Sequence, residues 1–245
     1  MGGKNATLGT GTGSLTQTAG SANQAGSVSL GASAGSKGTY QLDGGTLNAN
    51  NLTVGDAGTG DFKQTGGSNA VTNTVEIAKN AGAAGSAYSL SGGSLAAAGM
   101  NVNAGGTLDY SGGSLSLGSG GGTLSNAGQV NVSGAGIRTV DAGVVNDGNF
   151  KVTDTTVSYT GSFTNNGGYH SDPSTNIFTN LTVGVNGYLT GGLGDVFQMQ
   201  GDYFNQSTHN TRYGTLRKRR WSSPGRRIRW KQPGSSATSP GVASS

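Results

Sequence analysis

Apolar residues along this chain come in pairs two positions apart, and the pairs return at a nearly constant interval. One phrase sets an aromatic residue or Leu, a polar residue, then Leu, Gln or Tyr, and closes on Gly-Gly or Ala-Gly. It reads Leu15-Thr-Gln17-Thr-Ala19-Gly20, Tyr40-Gln-Leu42-Asp-Gly44-Gly45, Phe62-Lys-Gln64-Thr-Gly66-Gly67, Tyr88-Ser-Leu90-Ser-Gly92-Gly93 and Leu108-Asp-Tyr110-Ser-Gly112-Gly113. The second glycine falls at 20, 45, 67, 93 and 113, steps of 25, 22, 26 and 20 residues. A second phrase alternates with it: Val28-Ser-Leu30, Leu52-Thr-Val54, Val75-Glu-Ile77 and Met100-Asn-Val102, with weaker echoes at Val130-Asn-Val132, Phe150-Lys-Val152 and Leu181-Thr-Val183. Each unit therefore holds at least two short strands of period two, separated by glycine turns.

Such a unit has too few inward side chains to bury a face alone. Stacking the next unit on top covers that face and gives each backbone N–H and C=O a partner one unit away. A period of twenty-odd residues is one turn of a β-helix, whose coils rise about 4.8 Å each. The expectation is an all-β, single-stranded parallel β-helix, or β-solenoid, of roughly eight coils over residues 14–205. Leu42, Val54, Ile77, Leu90, Val102 and Val132 should point inward, and Thr, Asn, Ser and the charges outward. The paired glycines should supply positive φ at corners and permit close approach of neighbouring coils. Asn50, Asn51, Asp56 and Asn80 suit turns and can stack as ladders.

The phrases Gly38-Thr-Tyr-Gln-Leu-Asp-Gly-Gly-Thr-Leu47 and Asn51-Leu-Thr-Val-Gly-Asp-Ala-Gly-Thr-Gly-Asp-Phe62 resemble the autotransporter-associated β-strand repeats of secreted and surface proteins of Gram-negative and related bacteria. The resemblance covers residues 14–205 and is best over 28–115. It implies a right-handed coil, export and surface display. After Gly134 the Gly-Gly phrase fades and Asn-Gly turns take over, as in Asn166-Gly167 and Asn186-Gly187.

Composition agrees with many short strands and tight turns. Gly contributes 48 of 245 residues and charged residues only 11%, against roughly 7% glycine and 25% charge in ordinary domains. With four prolines and no Gly-X-Y period, collagen is excluded. Without cysteine there are no disulfides or thiolate metal sites. No apolar run reaches the length of a membrane helix. Met1 to Thr10 shows no signal-peptide pattern, so residues 1–13 are read as a lead-in.

Charge divides the chain at about residue 205. All eleven acidic residues lie at or before Asp202, while nine of fifteen Lys and Arg lie between Arg212 and Lys231. Residues 206–245 thus read as a basic, unstructured tail, with Trp221 and Trp230 inside it. Arg217-Lys-Arg-Arg220 with Arg226, Arg227 and Arg229 would by itself suggest an anionic partner. A solvated terminus is the plainer reading. The preferred one is a frameshifted translation, because Arg-rich, acid-free sequence is what GC-rich coding DNA gives out of frame. No specific nucleic-acid partner is expected.

The chemistry-bearing residues form no constellation in the sequence. His170 and His209 sit among turn residues, each read as a lone surface histidine. Asp56 and Asp61 flank a glycine turn, and Asp141, Asp147 and Asp154 are too closely spaced to share a position on successive coils. Polysaccharide lyases and hydrolases on β-helices need acids converging on one outer face with Lys or Arg. No catalytic, cofactor-binding or metal-ligating residue is assigned, and no cofactor. The expectation is a non-enzymatic, exported stalk or adhesin-like passenger at the bacterial surface or outside the cell. Its parent protein would be anchored at the outer membrane, and its partners would be host or matrix glycans or proteins, or itself. The competing reading is a carbohydrate-active β-helix enzyme. β-Helices also need covered ends, and neither end of this sequence looks like a cap.

Overall fold

The computed structural model describes residues 6–8, 11–209, 220–221 and 226–229. It is a parallel β-solenoid of about nine coils. One file of paired positions runs its length: Ala6, Val28, Leu52, Val75, Met100, Leu124, Val144, Phe163, Leu181 and Tyr203, each hydrogen-bonded in parallel register to the next. At about 4.8 Å per coil the stack is about 40 Å long. Among the described residues helix is confined to two three-residue 3-10 turns, Ala81–Ala83 and Gly118–Gly120.

Each coil carries three strands, consistent with the minimum of two read from the sequence, so the cross-section has three faces. The coil that starts at Lys37 shows the plan. Lys37–Leu42 lies on face B, and the Gly44-Gly45 corner follows. Thr46–Val54 then bends where its register shifts between Ala49 and Leu52, giving face C before the bend and face A after it. Residues 55–58 return the chain to Thr59–Gln64 on face B of the next coil. The third strand is short and shares a continuous run with the second, which is why the sequence shows only two phrases.

The inward positions read from the sequence are correct. Leu42, Val54, Ile77 and Leu90 are 0% exposed and Val102 and Val132 1%. Because the rise per coil matches the separation of stacked rings, aromatic residues at one position pile directly. Tyr40, Phe62 and Tyr88 have centroids 4.9 and 4.7 Å apart with interplanar angles of 8° and 12°. A second buried group, Phe150, Tyr159, Phe163, Tyr169, Phe178 and Phe197, fills the later coils.

The glycine pairs do both jobs expected of them. Gly45 sits at φ 75°, and a Cβ there would lie 2.1 Å from the Ser21 carbonyl of the coil below. Its predecessor Gly44 would place a Cβ 2.8 Å from the Ala19 backbone nitrogen. The corner is therefore closed to any side chain, which fixes Gly-Gly there.

Polar residues do not all face outward, and this corrects the sequence reading. Gln17, Gln64, Asn69, Asn126, Asn146, Asn165, Asn176 and Asp195 are buried. The reason is that corner carbonyls turn inward and need donors. On face B, the paired file Gln17, Leu42, Gln64, Leu90, Tyr110 alternates polar and apolar. Gln17 donates from Nε2 to the Ser21 carbonyl in its own coil (3.2 Å) and to Thr46 in the next (2.8 Å). Gln64 does the same with Gly67 (3.4 Å) and Ser94 (2.9 Å), and the single Tyr110 hydroxyl proton is shared between the Gly113 and Thr139 carbonyls (3.2 Å each). One donor group serves two coils, so Leu suffices at the coil between.

A second interior ladder explains the change of texture after the first half. At the end of face A the inward file runs Leu30, Val54, Ile77, Val102, Asn126, Asn146, Asn165, Val183. Where it is apolar, four or more residues lead to the next face-B strand; where it is Asn, only two do, as with Ala127-Gly128, Asp147-Gly148 and Asn166-Gly167. In these short corners both amides donate to one carbonyl a coil below. Asp147 and Gly148 reach Asn126 O at 2.7 and 2.9 Å, and Asn166 and Gly167 reach Asn146 O at 2.7 and 2.9 Å. The Asn side chains complete the corner: Asn126 Nδ2 donates to Asn146 Oδ1, and Asn146 Nδ2 to Asn165 Oδ1, each 2.7 Å. The short corners shorten the coils, from Val75–Met100 and Met100–Leu124 to Val144–Phe163 and Phe163–Leu181, which fits about nine coils where roughly eight were expected.

At the ends, stacking extends into the lead-in, since Ala6–Leu8 pairs with Val28–Leu30. At the other end, Gln206 N and Thr208 N still bond to the coil below, at Val183 O and Val185 O. Arg226–Arg229 runs antiparallel to Val196–Met199, and Arg220–Trp221 antiparallel to Tyr203–Phe204. These pairings cover strand edges at the C-terminal end that composition alone left open. The remainder of the 206–245 stretch lies outside the described residues.

Candidate functional site

The coils distribute the carboxylates around all sides. Asp109 projects from face B, Glu76 from face A and Asp141 from face C, while Asp147 and Asp154 occupy two different corners. Most of them hold coils together. Asp43 accepts from Thr65 (2.6 Å), Asp56 from Asn80 (3.0 Å), Glu76 from Asn101 (2.6 Å), Asp109 from Asn131 (2.7 Å), Asp141 from Thr160 (2.7 Å) and Asp147 from Asn166 (2.8 Å). Every donor belongs to the next coil. The hydrogen bonds to Thr65 and then Gln41 hold the Asp43 carboxyl below its usual pKa. The Asn51 and Asn80 ladders expected from sequence are present, with Asn73 Nδ2 on Asn51 Oδ1 at 3.3 Å. Two ion pairs among the described residues, Lys63–Asp61 and Lys79–Asp56, lie at the surface and add little. Among the described residues no group of three His, Cys, Asp or Glu is placed to hold a metal ion. No helix there is long and apolar enough to cross a membrane.

One open groove of about 440 Å³ lies along the corner between faces B and C, lined by Gly136, Ile137, Asp154, Thr155, Pro173 and Gly194 among others. Under it, Asp195 is buried and accepts from Ser171 Oγ, from the Ser174 amide at 2.7 Å and from the Gly192 amide at 2.5 Å. A chain of bonds continues inward through Ser171, Asn176 and Tyr169 to Tyr159. Burial, above all else, holds both tyrosine hydroxyls well above the usual phenol pKa. Asp195 is thus a staple for a wide corner.

The two histidines are not isolated. His170 and Tyr188 lie one coil apart on the outside of face B, where Gly168 pairs with Tyr188 and His170 with Thr190. Their rings meet edge to face at 5.5 Å, and the Tyr188 ring lies 4.9 Å from that of His209. Nδ1 of His170 is 2.8 Å from Thr190 Oγ1. Burial, and then Lys151 on the coil below, lower the His170 pKa. Sequence reasoning missed this trio, although 170, 188 and 209 are one coil-length apart.

No protein-family model, curated protein or solved structure matched this chain in the three comparisons.

Proposed function

We propose that this chain is a segment of an exported bacterial surface protein, in which the solenoid serves as a non-enzymatic stalk or adhesin-like passenger. The fold supports a structural role, and the resemblance to autotransporter-associated β-strand repeats supplies the export reading. The observation that carries it is the use of the acids. Six carboxylates that could have served catalysis are bonded to the coil above them. What such an arrangement delivers is a rod of defined length with a flat outer surface of Ser, Thr and Asn. Glycans or proteins outside the cell, or further copies, are the partners such a surface suits, with anchorage of the parent protein at the outer membrane.

The test is accessibility on living cells. Antibody raised against residues 14–205 should label intact cells of the source bacterium, and external protease should remove the label. Labelling only after lysis refutes display. Release of new reducing ends from a polysaccharide panel by the purified chain would instead favour the carbohydrate-active reading.

A further inference from the structure

We infer that His170, Tyr188 and His209 form a binding platform for a neutral pyranose ring of a glycan, on the outer face of the last coils. This rests on the adhesive reading above and names the place and the chemistry of contact. Of the described Phe and Tyr rings nearly all are buried; Tyr188 is only partly covered and Phe204 is 41% exposed. Among the described side chains it is at Tyr188 that outward rings gather, with His170 5.5 Å away and His209 4.9 Å away. Val185, 54% exposed, precedes them in the same loop, and Thr208 N bonds its carbonyl at 3.0 Å, which brings the His209 segment over it.

Gly168 forms the floor. A Cβ there would stand 2.8 Å from the Tyr188 hydroxyl and 2.9 Å from His170 Nε2. Both polar atoms therefore hang over one glycine, and neither has a hydrogen-bond partner among the described residues. A donor-acceptor pair beside tilted aromatic faces matches a sugar, whose C–H face seeks a ring and whose hydroxyls seek hydrogen bonds. Three rings are too small an area for a stable protein interface, which takes about 800 Å² per partner. An anionic sugar or nucleotide would want several cations, and among the described side chains Lys151 is the one beside His170. A neutral ring is the ligand left.

The test is affinity electrophoresis of the full chain in native gels containing galactomannan or xyloglucan, with polygalacturonate as the anionic arm. Retardation by a neutral polymer is expected, weakened at least tenfold by Tyr188→Ala and by His209→Ala, weakened less by Tyr188→Phe, which keeps the ring and loses only the hydroxyl, and unaffected by Phe204→Ala. Circular dichroism and Tm of each variant separate lost binding from lost folding; His209 is exposed, so its variant keeps the test alive if Tyr188→Ala fails to fold. Retardation by polygalacturonate alone, by no polymer, or undiminished in both ring-deleted variants overturns the inference. Surface labelling of intact cells is scored separately, so display can hold while this platform fails.

Discussion

The interior asparagine ladder makes a prediction that can be worked from its bonds. Asn146 is 0% exposed. It accepts from Asn126 at 2.7 Å and donates to Asn165 Oδ1 at 2.7 Å and to the Gly168 carbonyl at 3.0 Å. Asn146→Val leaves Asn165 Oδ1 with no donor, which costs about 1–3 kcal/mol. Asn126 Nδ2 keeps its bond to the Asn149 carbonyl at 2.9 Å but loses its second, and Gly168 O loses the side-chain donor, at about 1 kcal/mol each. The added methyl surface returns about 1 kcal/mol. The net loss is about 2–4 kcal/mol. The triple variant Asn126→Val, Asn146→Val, Asn165→Val removes donors and acceptors together and should cost less than the sum of the single changes by at least about 1 kcal/mol. Urea unfolding followed by circular dichroism measures the loss. Because a solenoid can open locally, hydrogen exchange across 124–128, 144–149 and 163–168 should report it most sharply. A single variant within 1 kcal/mol of the parent, or singles and triple that simply add, would refute the claim that side-chain amides complete the two-residue corners.

Three further outcomes follow from the same geometry. Gly93→Ala should cost clearly more than Gly85→Ala: both have positive φ, at 74° and 87°, but a Cβ at Gly93 lies 2.2 Å from the Gly67 carbonyl while nothing lies within 4 Å at Gly85. Equal losses in urea unfolding would show that backbone strain, about 1–2 kcal/mol, is the whole effect. Phe62→Ala removes the middle ring of the Tyr40–Phe62–Tyr88 stack and should cost about 3–5 kcal/mol, with loss of near-ultraviolet dichroism. Tyr88, Tyr159 and Tyr169 are held protonated in the fold above the usual phenol pKa. Their contribution is intact below about pH 10 and is lost as pH rises past it, because the unfolded chain gives up those protons first. Urea midpoints should be flat up to that point and then fall, and a flat profile through pH 11 would contradict the burial of these hydroxyls.

The chain's own alternation determined a great deal. Period-two apolar pairs at twenty-odd-residue intervals require stacked coils, since no single coil can cover its face, and they name Leu42, Val54, Ile77, Leu90, Val102 and Val132 as interior. The glycine pairs were legible too: where a coil lies below, as at Gly44 and Gly45, a Cβ would strike its backbone. Part of the second half was legible too. Leu124-Ser-Asn-Ala-Gly128, Val144-Val-Asn-Asp-Gly148 and Phe163-Thr-Asn-Asn-Gly167 keep the alternation with Asn in the inward slot, yet they look like a fading motif when asparagine is assumed to face water.

Which polar groups belong inside is decided by carbonyls that only the closed corner turns inward. Tertiary structure alone also decided the register between coils. Corner length sets how many residues separate one coil from the next, and the interval drifts as corners shorten. A residue's parity says inside or outside, but not which side chain lies above it. Hence the pairing of each acid with its donor, the gathering of His170, Tyr188 and His209, and the antiparallel cover of the last coil emerge from the stack and from nothing local.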